Sequence, residues 1–138
     1  INVSGCGIGA DYKFGKSYFI YGNVYSDVIG DLPYDGYVSF FNAPKYRFNI
    51  GLRNENFYKN VGFNVVVKYQ GNNYYEGTFV SGTLPYFTWV DAQVTYKVPK
   101  TKSTFRIGGT NIGNNYYRTG FGSPYVGGLY YVSYGFNL

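Results

Sequence analysis

Histidine is missing from this chain of 138 residues, and cysteine occurs once, as Cys6. The absence of histidine removes the commonest catalytic base and metal ligand. A single thiol allows neither a disulfide nor a cysteine metal site within the chain. Because no serine motif or metal-ligand spacing replaces these groups, the sequence predicts a protein that is not an enzyme and has no cofactor.

Charged residues and long apolar segments are also scarce. Charged residues make up 14% of the chain, against roughly 25% in ordinary globular domains. No apolar run approaches the ~18 residues that a membrane-spanning helix needs. The net charge is +5, but the basic residues are scattered, which argues against a nucleic-acid partner. Residues 1–16 lack the basic and apolar regions of a signal peptide, so we expect an exported chain to be processed or truncated.

Aromatic residues and glycine are abundant, with 19 Tyr, 12 Phe and 20 Gly. Apolar residues also alternate with polar ones in almost every segment, least cleanly in Tyr18–Tyr25. In residues 90–98, every even position is apolar and every odd position is polar. A period of two predicts β-strands. The predicted strands are Cys6–Phe14, Tyr18–Tyr25, Tyr46–Arg53, Val61–Gln70, Val90–Val98, Thr104–Asn111 and Tyr130–Leu138.

The alternation favours a membrane barrel over a half-buried soluble sheet. No apolar position of the predicted strands carries a charge, and aromatic residues cluster near the strand ends, as in an interfacial girdle. Most strands have about eight to ten alternating residues, close to the roughly nine to eleven that cross the hydrocarbon layer. The sequence therefore predicts an all-β protein, a transmembrane antiparallel β-barrel.

The connections between the predicted strands alternate in length. Short turns are expected at 15–17, 59–60 and 99–102, and long loops at 27–45, 71–88 and 112–128. This alternation is typical of periplasmic turns and extracellular loops. Seven is an odd number of strands, and it places the first residue on the outer side of the membrane. Single-chain bacterial barrels have an even number of strands and both termini on one side. We therefore expect residues 1–138 to be the C-terminal part of a larger barrel.

Several segments resemble the C-terminal barrel of TonB-dependent outer-membrane receptors. They are Asn42–Gly51 (NAPKYRFNIG), Trp89–Tyr96 (WVDAQVTY), Phe105–Ile112 (FRIGGTNI), Asn115–Gly120 (NYYRTG) and Pro124–Gly128. The similarity covers most of the chain from about Asn42 onward. One departure is Leu138, because outer-membrane proteins usually end in Phe.

The resemblance implies a barrel of ~22 strands, of which this chain forms the last seven or so, filled by a plug that lies elsewhere. It implies transport of a scarce ligand, such as a siderophore or glycan, across the outer membrane of a Gram-negative cell. The implied partners are outer-membrane lipid, the remainder of the barrel, the plug and TonB. A surface lipoprotein or a larger outer-membrane complex stays open as a further partner.

Two sets of residues are candidates for ligand contact. Charged residues on the polar faces are expected to face the lumen, either as a basic wall that attracts an anion or as groups paired with the plug. They are Asp11, Lys13, Arg47, Arg53, Lys68, Asp91, Lys97 and Arg106. Aromatic residues of the long loops are expected either to stack on a sugar or siderophore or to pack the loops together. They are Tyr74, Tyr75, Tyr116, Tyr117, Phe121 and Tyr125.

Two other functions remain open at the level of sequence. One is a small non-transporting barrel of about eight strands with a structural or adhesive role. The other is a soluble β-sandwich or lipocalin-like binder, since a half-buried soluble sheet alternates in the same way.

Overall fold

A seven-stranded antiparallel sheet forms most of the molecule. The computed structural model describes residues 1–136. The order of strands in the sheet is β1-β2-β3-β4-β7-β8-β9, and a separate hairpin pairs β5 with β6. The strands are β1 (Val3–Phe14), β2 (Tyr18–Ile29), β3 (Tyr46–Tyr58), β4 (Val61–Gln70), β5 (Asn73–Glu76), β6 (Ser81–Leu84), β7 (Phe87–Val98), β8 (Ser103–Thr110) and β9 (Leu129–Phe136).

All seven predicted strands are present, and they make up the main sheet. Most extend further than predicted, because the ladders continue past the residues that alternate, and β3 continues through a β-bulge between Asn54 and Tyr58. Asn111 was predicted as the last residue of a strand, but it lies just beyond β8 with a φ of 50°. Asn137 and Leu138 were predicted as the end of the last strand, and they lie outside the described residues.

The hairpin of β5 and β6 was not predicted. It occupies the middle of the connection predicted as the loop 71–88, and its strands have four residues each. Tyr74 and Tyr75 therefore lie in a strand, which corrects their assignment to a loop. Four residues are too few for a period of two to stand out from chance.

The three short connections form tight turns at one end of the sheet, here called the short-turn end. Lys59 and Asn60 both have positive φ, as the two-residue turn between hairpin strands requires. A 3₁₀ turn at Pro99–Thr101 is closed by Lys102 in the left-handed conformation. The opposite end, here called the long-loop end, carries the connections 30–45, 71–86 and 111–128.

The ladder register separates the sheet into two chemically different faces. One face consists of the even-numbered residues of β1, β2, β7 and β9 and of β3 up to Asn54, with the odd-numbered residues of β4 and β8. It contains no charged residue, and we call it the charge-free face. The opposite face carries the strand charges, and we call it the polar face.

The sheet is a single layer, and its charge-free face is uncovered. Ile8 and Val132 are 73% and 77% exposed at the middle of their strands, whereas Val66 and Leu84 are the large apolar residues found buried in the described part of the chain. The chain of 15.6 kDa exposes 9690 Å², where a folded monomer of that mass exposes roughly 7,200 Å². A stable domain needs a second layer to bury such a face.

The sheet is open within residues 1–136. β1 pairs only with β2, and β9 pairs only with β8, so no ladder joins the two edge strands of this part of the chain. No helix among these residues is long and apolar enough to cross a membrane.

Candidate functional site

The polar face brings all eight predicted charged residues onto one side of the sheet, as their positions in the register require. The structure adds Asp27, which the sequence prediction missed because the predicted strand ended at Tyr25, four residues before the end of β2 at Ile29. Four of these charges form two ion pairs near the long-loop end. Arg47 pairs with Asp27, and the ammonium of Lys68 lies 2.7 Å from the carboxylate of Asp91.

Nearer the short-turn end, the polar face holds cations without such pairing. Arg53, Lys97 and Arg106 line an open hollow of about 300 Å³, together with Glu55. None of the three cations forms an ion pair within 4.0 Å in residues 1–136. The hollow therefore combines three positive groups with one negative group.

Tyrosines stabilise the polar face by lying over glycines of neighbouring strands. The ring of Tyr21 covers Gly51, and its hydroxyl donates a hydrogen bond of 2.7 Å to the side-chain oxygen of Asn64. Tyr131 lies over Gly108 and donates to Gln93 over 2.8 Å. An aromatic ring over a strand glycine restores the packing that the glycine lacks. These rings fix the positions of the polar groups around the hollow.

The connection 111–128 turns inward over the polar face. Asn111 is buried, and its side chain exchanges hydrogen bonds with the backbone of Asn115 (2.8 and 3.2 Å). Its own backbone N–H donates to the carboxylate of Asp91 over 2.9 Å. The ring of Tyr117 then stacks on Phe87, with the ring centroids 4.2 Å apart. Part of the polar face at the long-loop end is thereby covered.

The connection 30–45 is held against the hairpin by the carboxylate of Glu76. This carboxylate accepts hydrogen bonds from the hydroxyl of Ser39 (2.7 Å) and from the backbone N–H groups of Ser39 and Phe40 (2.8 and 2.7 Å). The hydroxyl of Ser39 and these N–H groups hold the pKa of Glu76 below its usual value of 4.5. Asn42 adds two hydrogen bonds with the backbone of Glu76, of 2.6 and 2.9 Å.

The predicted loop aromatics divide into two groups. Tyr75 and Phe121 pack against each other, with ring centroids 6.0 Å apart, and join the hairpin to the connection 111–128. Together with the stacked Tyr117, these three rings hold the connections together. The other three predicted aromatics project from the surface and remain candidates for ligand contact. They are Tyr74, Tyr116 and Tyr125.

Sequence reasoning missed two further residues at the long-loop end. Glu76 anchors the connection 30–45, and the guanidinium of Arg118 lies over the rings of Phe121 (4.4 Å) and Tyr125 (5.6 Å). The sequence offers no signal for either role, because both depend on segments that are distant along the chain or irregular. Phe79 at the tip of the hairpin is 99% exposed.

No group of three or more histidine, cysteine, aspartate or glutamate residues in the described part of the chain is arranged to hold a metal ion. Comparison of the chain with models of known families, with curated proteins and with solved structures found no match.

Proposed function

We propose that this sheet is part of the wall of a β-barrel in the outer membrane of a Gram-negative cell, and that the barrel is a TonB-dependent transporter. The observation that carries the proposal is the exposed charge-free face, which runs across all seven strands. Lipid can cover such a face without burying a charged group in the hydrocarbon layer.

The two edges of the sheet support a wall that continues beyond these strands. Lipid offers no hydrogen bonds to the unpaired backbone groups of an edge strand, which cost several kcal/mol each. β1 and β9 each leave one edge unpaired within residues 1–136. The proposal therefore requires further strands of the same barrel on both sides. As a TonB-dependent transporter, the barrel would also need a plug and TonB to drive uptake.

The polar face gives the proposed barrel a polar lumen, through which a polar ligand can pass. In the proposed barrel this face lines the lumen, with Asp11, Lys13 and the other charged residues turned away from lipid. The exposed rings of Tyr74, Tyr116 and Tyr125 stand at the long-loop end, where a ligand from outside arrives. Aromatic rings of this kind stack on sugars and on the rings of siderophores.

Uptake by intact cells tests the proposal. Cells with the gene and a deletion strain are given radiolabelled ferric siderophores and oligosaccharides, with and without a protonophore. We expect at least one ligand to accumulate only when the protein is present and only while the membrane is energised. If the protein fractionates with the outer membrane but no ligand accumulates, a small non-transporting barrel becomes the better explanation. If it is recovered without detergent, the membrane location is wrong.

A further inference from the structure

The hollow at the short-turn end has the chemistry of a binding site. We propose that Arg53, Lys97 and Arg106 bind an oxyanion with at least two negative charges, either a phosphate ester or a polycarboxylate. The inference goes beyond transport, because the site would bind its ligand whether or not the barrel moves it across a membrane.

The distribution of ion pairs on the polar face distinguishes this hollow from the rest of the face. Near the long-loop end, Arg47 and Lys68 are neutralised by Asp27 and Asp91. The hollow is lined by three cations and one carboxylate, that of Glu55, and none of the cations lies within 4.0 Å of an acidic group in residues 1–136. Two positive charges are therefore left uncompensated at one place.

The geometry around Arg53 holds its guanidinium ready for a ligand. The guanidinium lies 4.5 Å from the ring centroid of Phe19 and 5.9 Å from that of Tyr21, which fixes its plane. Its Nε atom is buried and has no hydrogen-bond partner among the described residues. Because Nε is buried, the two terminal nitrogens are the ones that can donate parallel hydrogen bonds to an oxyanion, and the stacked rings reduce the loss of side-chain entropy on binding.

Neutral hydrogen-bonding groups complete the lining. Asn64, Gln93 and Thr95 surround the cations. The volume of about 300 Å³ lies at the lower end of the range for small-molecule sites. This size suits an anion comparable to pyrophosphate or citrate. The acidic residue Asp11 lies on the same face, but β2 separates it from Arg53 in the sheet.

Calorimetric titration tests the site with the complete protein in detergent, using pyrophosphate and citrate as probes and acetate as the monovalent comparison. We expect one or both probes to bind, more weakly at higher salt, and acetate not to bind. The stronger probe identifies the ligand as phosphate or carboxylate. Absence of binding by both probes would overturn the proposal.

Variants locate the binding. Arg106→Gln and Lys97→Gln should each weaken binding roughly tenfold, since each removes a charge-assisted hydrogen bond. Arg106→Lys should keep most of the affinity. The matched control is Arg47→Gln, which removes a cation of the same face that is already paired with Asp27, and it should leave affinity unchanged. Equal weakening by Arg47→Gln and Arg106→Gln would show non-specific attraction and reject the site. Binding in detergent is measured without uptake by cells. A negative binding result would therefore reject this site and leave the transport proposal to its own test.

Discussion

At the scale of single residues, Glu76 links two long connections, the hairpin of 71–86 and the connection 30–45. Its carboxylate receives three hydrogen bonds from Ser39 and Phe40. Contacts that lower the pKa of a carboxyl group in the folded state also stabilise that state. This stabilisation is fully present at pH values above the usual pKa of the group. That stabilisation is lost as the pH falls through the lowered value.

We therefore expect the docking of residues 39–40 to be strong near neutral pH and to weaken as the pH falls below 4.5, the usual pKa of the group. The measurement is hydrogen-exchange protection of the Ser39 and Phe40 amides, corrected for intrinsic exchange. Glu76→Gln should lower the protection at neutral pH and remove most of its pH dependence. Glu55→Gln serves as the control and should change neither. Protection that persists in the wild type well below 4.5 would contradict this role.

Gly62 shows how closely two strands approach beside the β-bulge of β3. A Cβ atom at Gly62 would lie 2.8 Å from the backbone oxygens of both Asn54 and Glu55. Because these are backbone atoms, no side-chain rotation relieves the clash.

Gly62→Ala should therefore lower the free energy of unfolding by about 1–3 kcal/mol, as over-packing does. Gly135→Ala is the matched control, since a Cβ atom there has nothing within 4 Å. It should be neutral or raise stability by about 0.4–1 kcal/mol, through the loss of unfolded-state entropy. Urea unfolding in lipid or detergent measures both. Similar losses from both variants would contradict the packing explanation.

At the scale of elements, β7 shows the difference between the faces most directly. Val94 lies near the middle of the strand on the charge-free face, and it pairs with Phe63 and Ile107. The next residue, Thr95, lies on the polar face and pairs with Gly62 and Arg106. A charge should therefore have opposite effects at these two positions.

Val94→Glu should lower the free energy of unfolding in a bilayer, because it places a charge on the lipid-facing side. The loss should be smaller than the roughly 2–4 kcal/mol that Arg or Lys costs at the midplane, since acidic residues cost less there. Thr95→Glu should be neutral or slightly stabilising, because it places a carboxylate opposite Arg106. Unfolding in lipid vesicles compares the two variants. If they lose stability equally, the charge-free face is not the lipid-facing one.

The strands and their faces could be predicted from the sequence because a period of two is a local property. Alternation in 90–98 places Asp91 and Lys97 on one face without any knowledge of neighbouring strands. The pairing of charges could not be predicted, because it depends on register. Lys68 lies directly opposite Trp89 and reaches Asp91 two residues along β7. The docking of the connections by Glu76 could not be predicted either, because its partners Ser39 and Phe40 lie in an irregular segment that is distant along the chain.

At the scale of the whole molecule, the two ends of the sheet should lie on opposite sides of the membrane if the proposed location is correct. Ser123 belongs to a long connection, and Lys100 belongs to a short turn. Both residues are exposed, so a thiol at either position can react where reagent is present.

In a Cys6→Ala background, Ser123→Cys in intact cells should react with a membrane-impermeant maleimide, and Lys100→Cys should react only after the cells are lysed. The Cys6→Ala protein without an added cysteine is the control for background labelling. Reaction of Lys100→Cys alone in intact cells would reverse the orientation. Equal reaction of both would argue against a protein that separates two compartments.

The strand order of the sheet also has a consequence for how the molecule assembles. Each strand pairs with its neighbour along the chain, and only the β5–β6 hairpin intervenes between β4 and β7. Ladders between consecutive strands close loops that are short compared with the whole chain, and the entropic cost of closure grows only slowly with loop length, so the barrier to each step stays small. Each completed hairpin can then act as a template for the next, and the sheet can grow by successive addition rather than by a single global collapse.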